Sequence, residues 1–252
     1  MMRRVLIASI ALVALAAAGC TSVNPTTAAS SNSRGPSYVY VAIGESGASG
    51  LRGDPSDLRA QWTQLFYRSA LGTDDVLFDF SSGGQTVADV ISSVLPQALA
   101  VHPNLATVWL STADIIAGTA PAVFARELKQ LVVALQGAGA TVLLANAAPP
   151  EVFPALESCG SDGPACDSGG APTLSSPALA STISAYDNVI ASVGHQTGAD
   201  IVDVHSVLEQ AVQGAGAERV LSPRGTALSE GGATIVAHAF ADGLPRRFRK
   251  QN

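Results

Sequence analysis

The sequence predicts an α/β protein built as a three-layer αβα sandwich, with a five-stranded parallel sheet between two layers of helices. Short apolar segments rich in β-branched residues alternate five times with segments whose apolar residues recur at helical spacing. The predicted strands lack polar residues at alternate positions, which is typical of parallel strands buried on both faces. Ligands of such sheets bind beyond the carboxyl ends of the strands, so residues that directly follow a strand are the functional candidates.

Five short runs are predicted as strands because each is apolar and rich in residues that favour extended backbone. The first of them ends in glycine, which marks a tight turn directly after the strand. The predicted strands cover residues 38–43, 76–80, 106–110, 141–145 and 201–204.

The segments between the strands are predicted as helices from the spacing of their apolar side chains. The clearest is the helix at 124–136, which Gly137 and Gly139 should end, because glycine is favoured just past a helix C-terminus. Thr86 is predicted to cap the helix at 86–100. The remaining helices are expected at 179–197, at 230–240 and around a face formed by Trp62, Leu65 and Phe66, and a loop rich in Pro and Gly is expected at 147–175.

The composition indicates one globular domain, residues 37–243, with a substantial core. Hydrophobic residues make up 47% of the chain and charged residues only 13%. The formal net charge is −6, and no basic stripe is present, which argues against a nucleic-acid partner. Residues 244–252 form a basic tail, interpreted as solvated or in weak contact with anionic lipid head groups.

The amino terminus is predicted to be a lipoprotein signal peptide, residues 1–19. Arg3 and Arg4 precede an apolar run at 5–18, and small residues then stand directly before Cys20. That order resembles the lipobox of bacterial lipoproteins, which implies cleavage before Cys20 and its lipidation. The protein would then be exported and lipid-anchored to the outer face of the bacterial cell membrane, with residues 20–36 as a flexible tether. The alternative is an ordinary signal peptide with an incidental cysteine.

The three cysteines fit an exported protein. If Cys20 carries lipid, Cys159 and Cys166 remain as an even pair around a six-residue loop. A compartment outside the cytoplasm permits disulfides, so a local Cys159–Cys166 disulfide is predicted. No histidine lies near these cysteines in sequence, and neither a metal site nor a cofactor is predicted.

Four segments should meet at the carboxyl edge of the sheet, and together they resemble the SGNH/GDSL hydrolase family. They are residues 44–47, 82–86, 111–114 and 224–232, and the resemblance extends over residues 38–240. It implies the SGNH hydrolase fold, which is flavodoxin-like, and the chemistry of a serine ester hydrolase. In that chemistry Ser46 holds the position of the nucleophile and Gly84 that of a backbone oxyanion donor.

The same resemblance shows where this chain departs from the family pattern. Glu45 stands in place of an aspartate, and Ala113 replaces an asparagine that donates to the oxyanion. Ala227 stands at the position of the catalytic histidine and Arg224 at that of its aspartate. Losing one oxyanion donor costs roughly 10²–10³ in rate. Losing the base of a serine hydrolase costs on the order of 10⁶, so the missing histidine is the larger defect.

His205 is the candidate substitute base, because it follows the last predicted strand and Asp203 is near it in sequence. The alternative is a polar loop residue without a catalytic role. The other histidines, His102, His195 and His238, are interpreted as surface residues.

Three functions remain open from the sequence. The first is a catalytically degenerate lipoprotein that binds an envelope glycan, an acyl chain or a partner protein without turnover. The second is an active esterase, lipase or deacetylase that uses Ser46 with a relocated base. The third, nucleotide binding at Gly44, Gly47 and Gly50, fits poorly, because the glycine spacing is not that of the dinucleotide fingerprint.

Overall fold

A computed structural model describes residues 37–45, 60–152, 176–221 and 228–250. Its centre is a five-stranded sheet in which every pair of neighbouring strands is parallel. The fold class predicted from the sequence is therefore confirmed. The strands are β1 (Val39–Gly44), β2 (Val76–Ser81), β3 (Leu105–Trp109), β4 (Thr141–Ala145) and β5 (Asp200–Val202), in the spatial order β2-β1-β3-β4-β5.

Helices cover both faces of the sheet. The helices are α1 (Trp62–Ala70), α2 (Val87–Asp89), α3 (Leu95–Ala100), α4 (Thr112–Ala117), α5 (Pro121–Gly137), α6 (Ser176–Thr197), α7 (Val204–Ala215), α8 (Ala217–Val220) and α9 (Glu230–Gly243). A π-helical stretch, Val90–Val94, joins α2 to α3, and 3-10 turns lie at Pro150–Val152 and Arg246–Phe248. Helices α1, α7 and α9 form one layer, and α3, α5 and α6 form the other.

The core is centred on β1 and β3, which have strands on both sides. All five residues of β3 are buried, as are the last five of β1. The edge strand β2 is less covered than the predicted burial of the strands suggested. Val76 is 46% exposed and Phe78 is 37% exposed. The apolar composition of this segment therefore indicated a strand, but the burial of that strand depended on its position at the edge of the sheet.

The predicted helix boundaries hold at several points. Thr86 caps α2 in a reciprocal arrangement with Asp89, and α5 ends at Gly137, before Gly139 with its positive φ of 98°. No helix in the described part of the chain is long and apolar enough to cross a membrane. The predicted signal peptide and tether, and Cys20, Cys159 and Cys166, lie outside the described residues.

The segment after β5 corrects the sequence prediction. We expected a strand at 201–204 followed by a loop, but β5 ends at Val202 and α7 begins at Val204. Asp203 is the N-cap of α7, since its side chain accepts a hydrogen bond from Ser206 N. The buried Val204 and Leu208, one helical turn apart, were the signal for this helix.

The carboxyl-terminal segment also differs from the predicted solvated tail. Leu244 and Phe248 are buried, and the Phe248 ring meets the Tyr38 ring edge-on, with centroids 4.7 Å apart. The backbone N–H of Lys250 donates to the carbonyl of Ala70 at 2.8 Å. The chain therefore stays packed on the domain to residue 250, because its two apolar side chains have a place in the core.

Candidate functional site

The end of β1 lies tightly against β3. Gly44 has a φ of +107°, and a Cβ placed there would sit 2.0 Å from the carbonyl oxygen of Trp109. The next residue, Glu45, donates its N–H to that oxygen at 2.9 Å. Only glycine fits this contact, so the turn after the first strand requires the residue that the sequence has there. Ser46 lies outside the described residues, and its place as nucleophile stays a prediction.

The carboxylate of Glu45 is directed into the protein. The residue is 4% exposed, and its Oε1 accepts a hydrogen bond from Thr112 N, the first residue of α4, at 3.1 Å. Its carbonyl accepts from Trp62 Nε1 at 2.7 Å. Glu45 thus ties β1 to α4 and to α1, so the longer carboxylate has a structural use at this position.

The turn after β2 lies beside the end of β1. Residue Gly44 is paired with Ser81 in the sheet, and Ser82 N donates to Gly44 O at 2.7 Å. Gly84 follows, exposed and with a φ of +83°, two residues before the Thr86 cap. The strand order therefore brings the predicted oxyanion donor next to the strand that precedes Ser46, while its role as a donor stays a prediction.

The connection after β3 carries Ala113 and Asp114 on the other side of β1. Ala113 is 9% exposed, and its methyl group cannot donate to an oxyanion. Asp114 is 1% exposed, and its Oδ2 accepts from Val87 N at 2.9 Å, which joins α4 to the start of α2. Burial raises the pKa of Asp114, and the hydrogen bond from Val87 opposes that rise. Asp114 therefore holds these two helices together.

Buried polar atoms without partners also lie at this end of β3. Within the described residues, Trp109 Nε1, Ser111 Oγ and Thr112 Oγ1 have no hydrogen-bond partner. A buried polar group left unpaired costs about 1–3 kcal/mol, so such groups are uncommon in a structural core. The end of β3 therefore offers hydroxyl donors close in sequence to Ala113.

His205 forms a pair with a carboxylate that the sequence analysis did not identify. Its Nδ1 lies 3.1 Å from Asp187 Oδ2 and 3.1 Å from the carbonyl oxygen of Ala147. The hydrogen bond with Asp187 is the main cause that raises the pKa of His205, while burial opposes it. An imidazole bound this way through Nδ1 has the orientation of a general base.

Asp203, the carboxylate nearest to His205 in sequence, is engaged elsewhere. Its Oδ1 accepts from Ser206 N at 3.0 Å and from Asn146 Nδ2 at 2.8 Å. Burial acts to raise the pKa of Asp203, but these hydrogen bonds outweigh it and hold the pKa below its usual value. Asn146 also accepts from His205 N at 2.9 Å, so the ends of β4 and β5 share one polar network.

This network lies at the far end of the carboxyl edge from β1. The strand order places β5 three strands from β1. Neighbouring strands are about 4.8 Å apart, which puts the two strand ends about 14 Å from each other. A general base must lie about 3 Å from the atom whose proton it takes, so this separation weighs against His205 as the base for Ser46, the residue after Glu45.

The segment with Arg224 and Ala227 lies outside the described residues, but its flanks are fixed. Leu221 and Leu228 form an antiparallel bridge, and Ser229 caps α9 by accepting from Gly232 N. Along α9, Phe240 stacks on Trp62 with centroids 4.4 Å apart. Trp62 in turn binds Glu45, so α9 is connected through α1 to the end of β1.

Comparison with known proteins decides the family. A sequence model of the GDSL-like lipase/acylhydrolase family matches residues 42–246. The chain belongs to this family. No curated protein sequence matches it.

Solved structures support the same assignment at the level of the fold. A protein assigned to the lipolytic G-D-S-L family from Desulfitobacterium hafniense is 18% identical, with a TM-score of 0.61, over 82% of this chain and 99% of that one. TesA is 20% identical, with a TM-score of 0.60, over 83% and 99%. The acetylxylan esterase Axe2 from Geobacillus stearothermophilus is 15% identical, with a TM-score of 0.61, over 83% and 94%. At these identities the likeness shows that this GDSL-family chain shares their fold.

Two residues of the site region were missed in the sequence analysis, Asp187 and Asn146. Asp187 falls between Ile183 and Ile190 at spacings of four and three, so it interrupts the buried stripe of α6 with a charge. That interruption was a readable signal for an inward-facing carboxylate. Asn146 directly follows β4, so the rule that residues just after a strand are functional candidates could have selected it.

Within the described residues, no three His, Cys, Asp or Glu side chains lie close enough to hold a metal ion.

Proposed function

We propose that this GDSL-family protein is a lipid-anchored lipoprotein that binds an envelope glycan, acyl chain or protein at its carboxyl edge without turnover. The observation that carries the proposal is Ala113, a buried methyl group beside the end of the central strand where the family pattern has a donor. The sequence adds Arg224 and Ala227 in place of the aspartate and the histidine. The site would then keep its position on the fold while lacking the groups that move a proton.

The energetic argument rests on the larger of the two losses. A missing oxyanion donor lowers the rate by roughly 10²–10³. A missing general base leaves a serine hydroxyl that is a weak nucleophile at neutral pH, and costs on the order of 10⁶. Arg224 would add a positive charge at this edge, which favours a ligand with an anionic group. Two catalytic mutants of Axe2 match this fold with TM-scores of 0.63 and 0.61, which is consistent with a fold that does not depend on catalytic residues.

A second candidate function is an ester hydrolase that uses Ser46 with His205 as its base. The pairing of His205 Nδ1 with Asp187 favours it, because that pairing leaves Nε2 as the nitrogen able to accept a proton. The separation of β5 from β1 by two intervening strands weighs against it. We therefore rank binding without turnover first.

Ester hydrolysis by the mature chain, residues 20–252 with Cys20→Ser, separates the two candidates. The assay compares short-chain aryl esters with the parent, Ser46→Ala and His205→Gln. We expect all three to turn over at the same background rate. Turnover by the parent that disappears in Ser46→Ala and His205→Gln contradicts the first proposal and establishes the second.

Restoring the family pattern tests whether the replaced residues are the cause. The triple variant Ala113→Asn, Arg224→Asp and Ala227→His should gain on the order of 10³-fold or more in turnover. The gain should vanish when Ser46→Ala is added, which controls for hydrolysis elsewhere on the protein. A correctly folded triple variant that gains nothing shows that the loss of activity has another origin.

The anchor is tested separately from the site. Full-length protein produced in a bacterial host should partition into the detergent phase and incorporate a labelled fatty acid, and Cys20→Ala should lose the label. A parent that partitions into the aqueous phase without label instead indicates an ordinary signal peptide with an incidental cysteine. Under the proposal, the protein resides on the outer face of the cell membrane.

A further inference from the structure

The cationic side chains of this chain are unevenly distributed. Four of the fourteen Lys and Arg residues lie within residues 246–250, here called the basic segment. The formal net charge of the chain is −6, and without these four cations it would be −10. An acidic protein therefore carries a compact positive region at one place. This uneven charge distribution favours one orientation of the protein when it approaches a charged surface.

The basic segment is held in place on the domain. Phe248 is 4% exposed and packs edge-on against Tyr38. The side chain of Arg249 donates to the carbonyls of Leu244 and Asp242, both at 2.9 Å, and the backbone N–H of Lys250 donates to Ala70. The four cationic side chains remain exposed: Arg246, Arg247, Arg249 and Lys250.

The contacts of the basic segment place it at the amino edge of the sheet. Tyr38 precedes β1, and Thr141, which binds the Arg247 side chain, is the first residue of β4. Ala70 is the last residue of α1, which runs back from the carboxyl edge. The described domain begins at Ser37, so the chain enters the domain at this same edge.

We propose that the basic segment is a membrane-facing surface that binds anionic lipid head groups and orients the domain on the bilayer. The proposal extends the proposed anchoring through Cys20, because an anchor at the amino end would hold this edge near the membrane. Cations that are held in fixed positions on the protein attract an anionic lipid surface more strongly than the same charges spread over a mobile tail. The acidic remainder of the domain is repelled from the same surface, which strengthens the preference for one orientation.

The orientation has a consequence for the candidate site. The six residues of β1 span about 20 Å, and the site lies at its opposite end. With the basic segment on the head groups, the carboxyl edge would face away from the bilayer. The ligand is then expected outside the membrane, as an envelope glycan or protein, in preference to an acyl chain of the same bilayer.

Flotation with lipid vesicles tests the surface without the anchor. The protein is the mature chain, residues 20–252 with Cys20→Ser, so that no acyl group contributes to binding. We expect it to float with vesicles that contain phosphatidylglycerol, to stay behind with pure phosphatidylcholine vesicles, and to dissociate at high salt. The test variant is Arg246→Gln with Lys250→Gln, because no hydrogen bond is described for either side chain.

The control variant removes two exposed cations from α5, Arg126→Gln with Lys129→Gln, and so has the same net charge as the test variant. The test variant should bind anionic vesicles about 10-fold to 30-fold more weakly, from the attraction of each cation near such a surface. The control variant should bind as the parent does. Both should show the parent's circular dichroism and thermal midpoint.

Three results overturn the proposal. The first is that the parent does not bind anionic vesicles. The second is that the control variant loses as much vesicle binding as the test variant, which would show a general effect of net charge. The third is displacement by millimolar inorganic phosphate, which indicates a site for free phosphate. None of these depends on Cys20, so failure of the surface and failure of the anchor are distinguished.

Discussion

The Nδ1 of His205 lies 3.1 Å from the Oδ2 of Asp187, and this pair, which is ionic when the imidazole is protonated, joins α7 to α6. Each side chain is about a quarter exposed, at 24% and 25%. Asp187 also accepts a hydrogen bond from Ala147 N at 2.8 Å, so the pair holds the end of β4 as well. The contacts described for this pair therefore connect three elements, α6, α7 and the end of β4.

The stability of the protein should depend on pH through His205. Because its pKa is raised in the folded state, the stabilisation is fully present below the unfolded value of about 6.5 and is lost as pH rises through the folded pKa. Urea unfolding should therefore show a larger advantage of the parent over His205→Gln at pH 5.5 than at pH 8.5. The difference should be about 1 kcal/mol, since the pair is partly screened by solvent. An advantage that is equal at both pH values contradicts this account.

Asp203 stabilises the beginning of α7, and two substitutions separate its contributions. Asp203→Ala should lower the free energy of unfolding by about 1 kcal/mol, because the cap of α7 is lost. Asp203→Asn keeps an oxygen for Ser206 N, so it should cost less near neutral pH. Because the pKa of Asp203 is lowered in the folded protein, the advantage of Asp over Asn should disappear as pH falls through that folded pKa. Chemical denaturation at pH 7 and in the acid range measures both effects.

Replacing Glu45 by aspartate, the residue that the family pattern has at this position, should destabilise the protein. Aspartate is one methylene shorter, so its oxygen would no longer reach Thr112 N, now 3.1 Å from Oε1. We expect Glu45→Asp to destabilise the protein by about 1–3 kcal/mol, the cost of a buried donor without a partner. Glu45→Gln keeps an acceptor of the same length and should be milder. A thermal melt in which the aspartate variant is the more stable of the two contradicts the structural role of the carboxylate.

The fold was readable from the sequence because its signals are local and repeated. The buried strand residues around Val41 and Val108 formed apolar runs, and the stripe through Leu128, Leu131 and Leu135 marked α5. The packing of Phe248 was not readable, because a single aromatic residue among arginines gives no periodic pattern. The same holds for the exposure of Phe78, which follows from the order of strands in the sheet.

The candidate site was readable only in part. The residues after β1, β2 and β3 were found, since the carboxyl-edge rule and the family resemblance both select them. The partner of His205 was not, because Asp187 lies eighteen residues away on another helix and only the tertiary structure brings the two together. The structural use of Glu45 was missed for the same reason, as its partner Thr112 is 67 residues away.

Because Gly44 lies in close contact with Trp109, we expect Gly44→Ala to cause the largest loss of stability among the glycine-to-alanine substitutions in the described core. Gly44→Ala would place its Cβ 2.0 Å from a backbone oxygen and force a residue with a φ of +107° to carry a side chain. Neither strand can move aside without breaking the sheet, so we expect a loss of about 4 kcal/mol or more, or failure to fold. Gly137→Ala is the matched control, because nothing lies within 4 Å of the added methyl and helix α5 favours alanine there. That variant should be neutral or more stable by up to about 1 kcal/mol, and equal denaturation midpoints for the two variants would show that the end of β1 is less constrained than this contact implies.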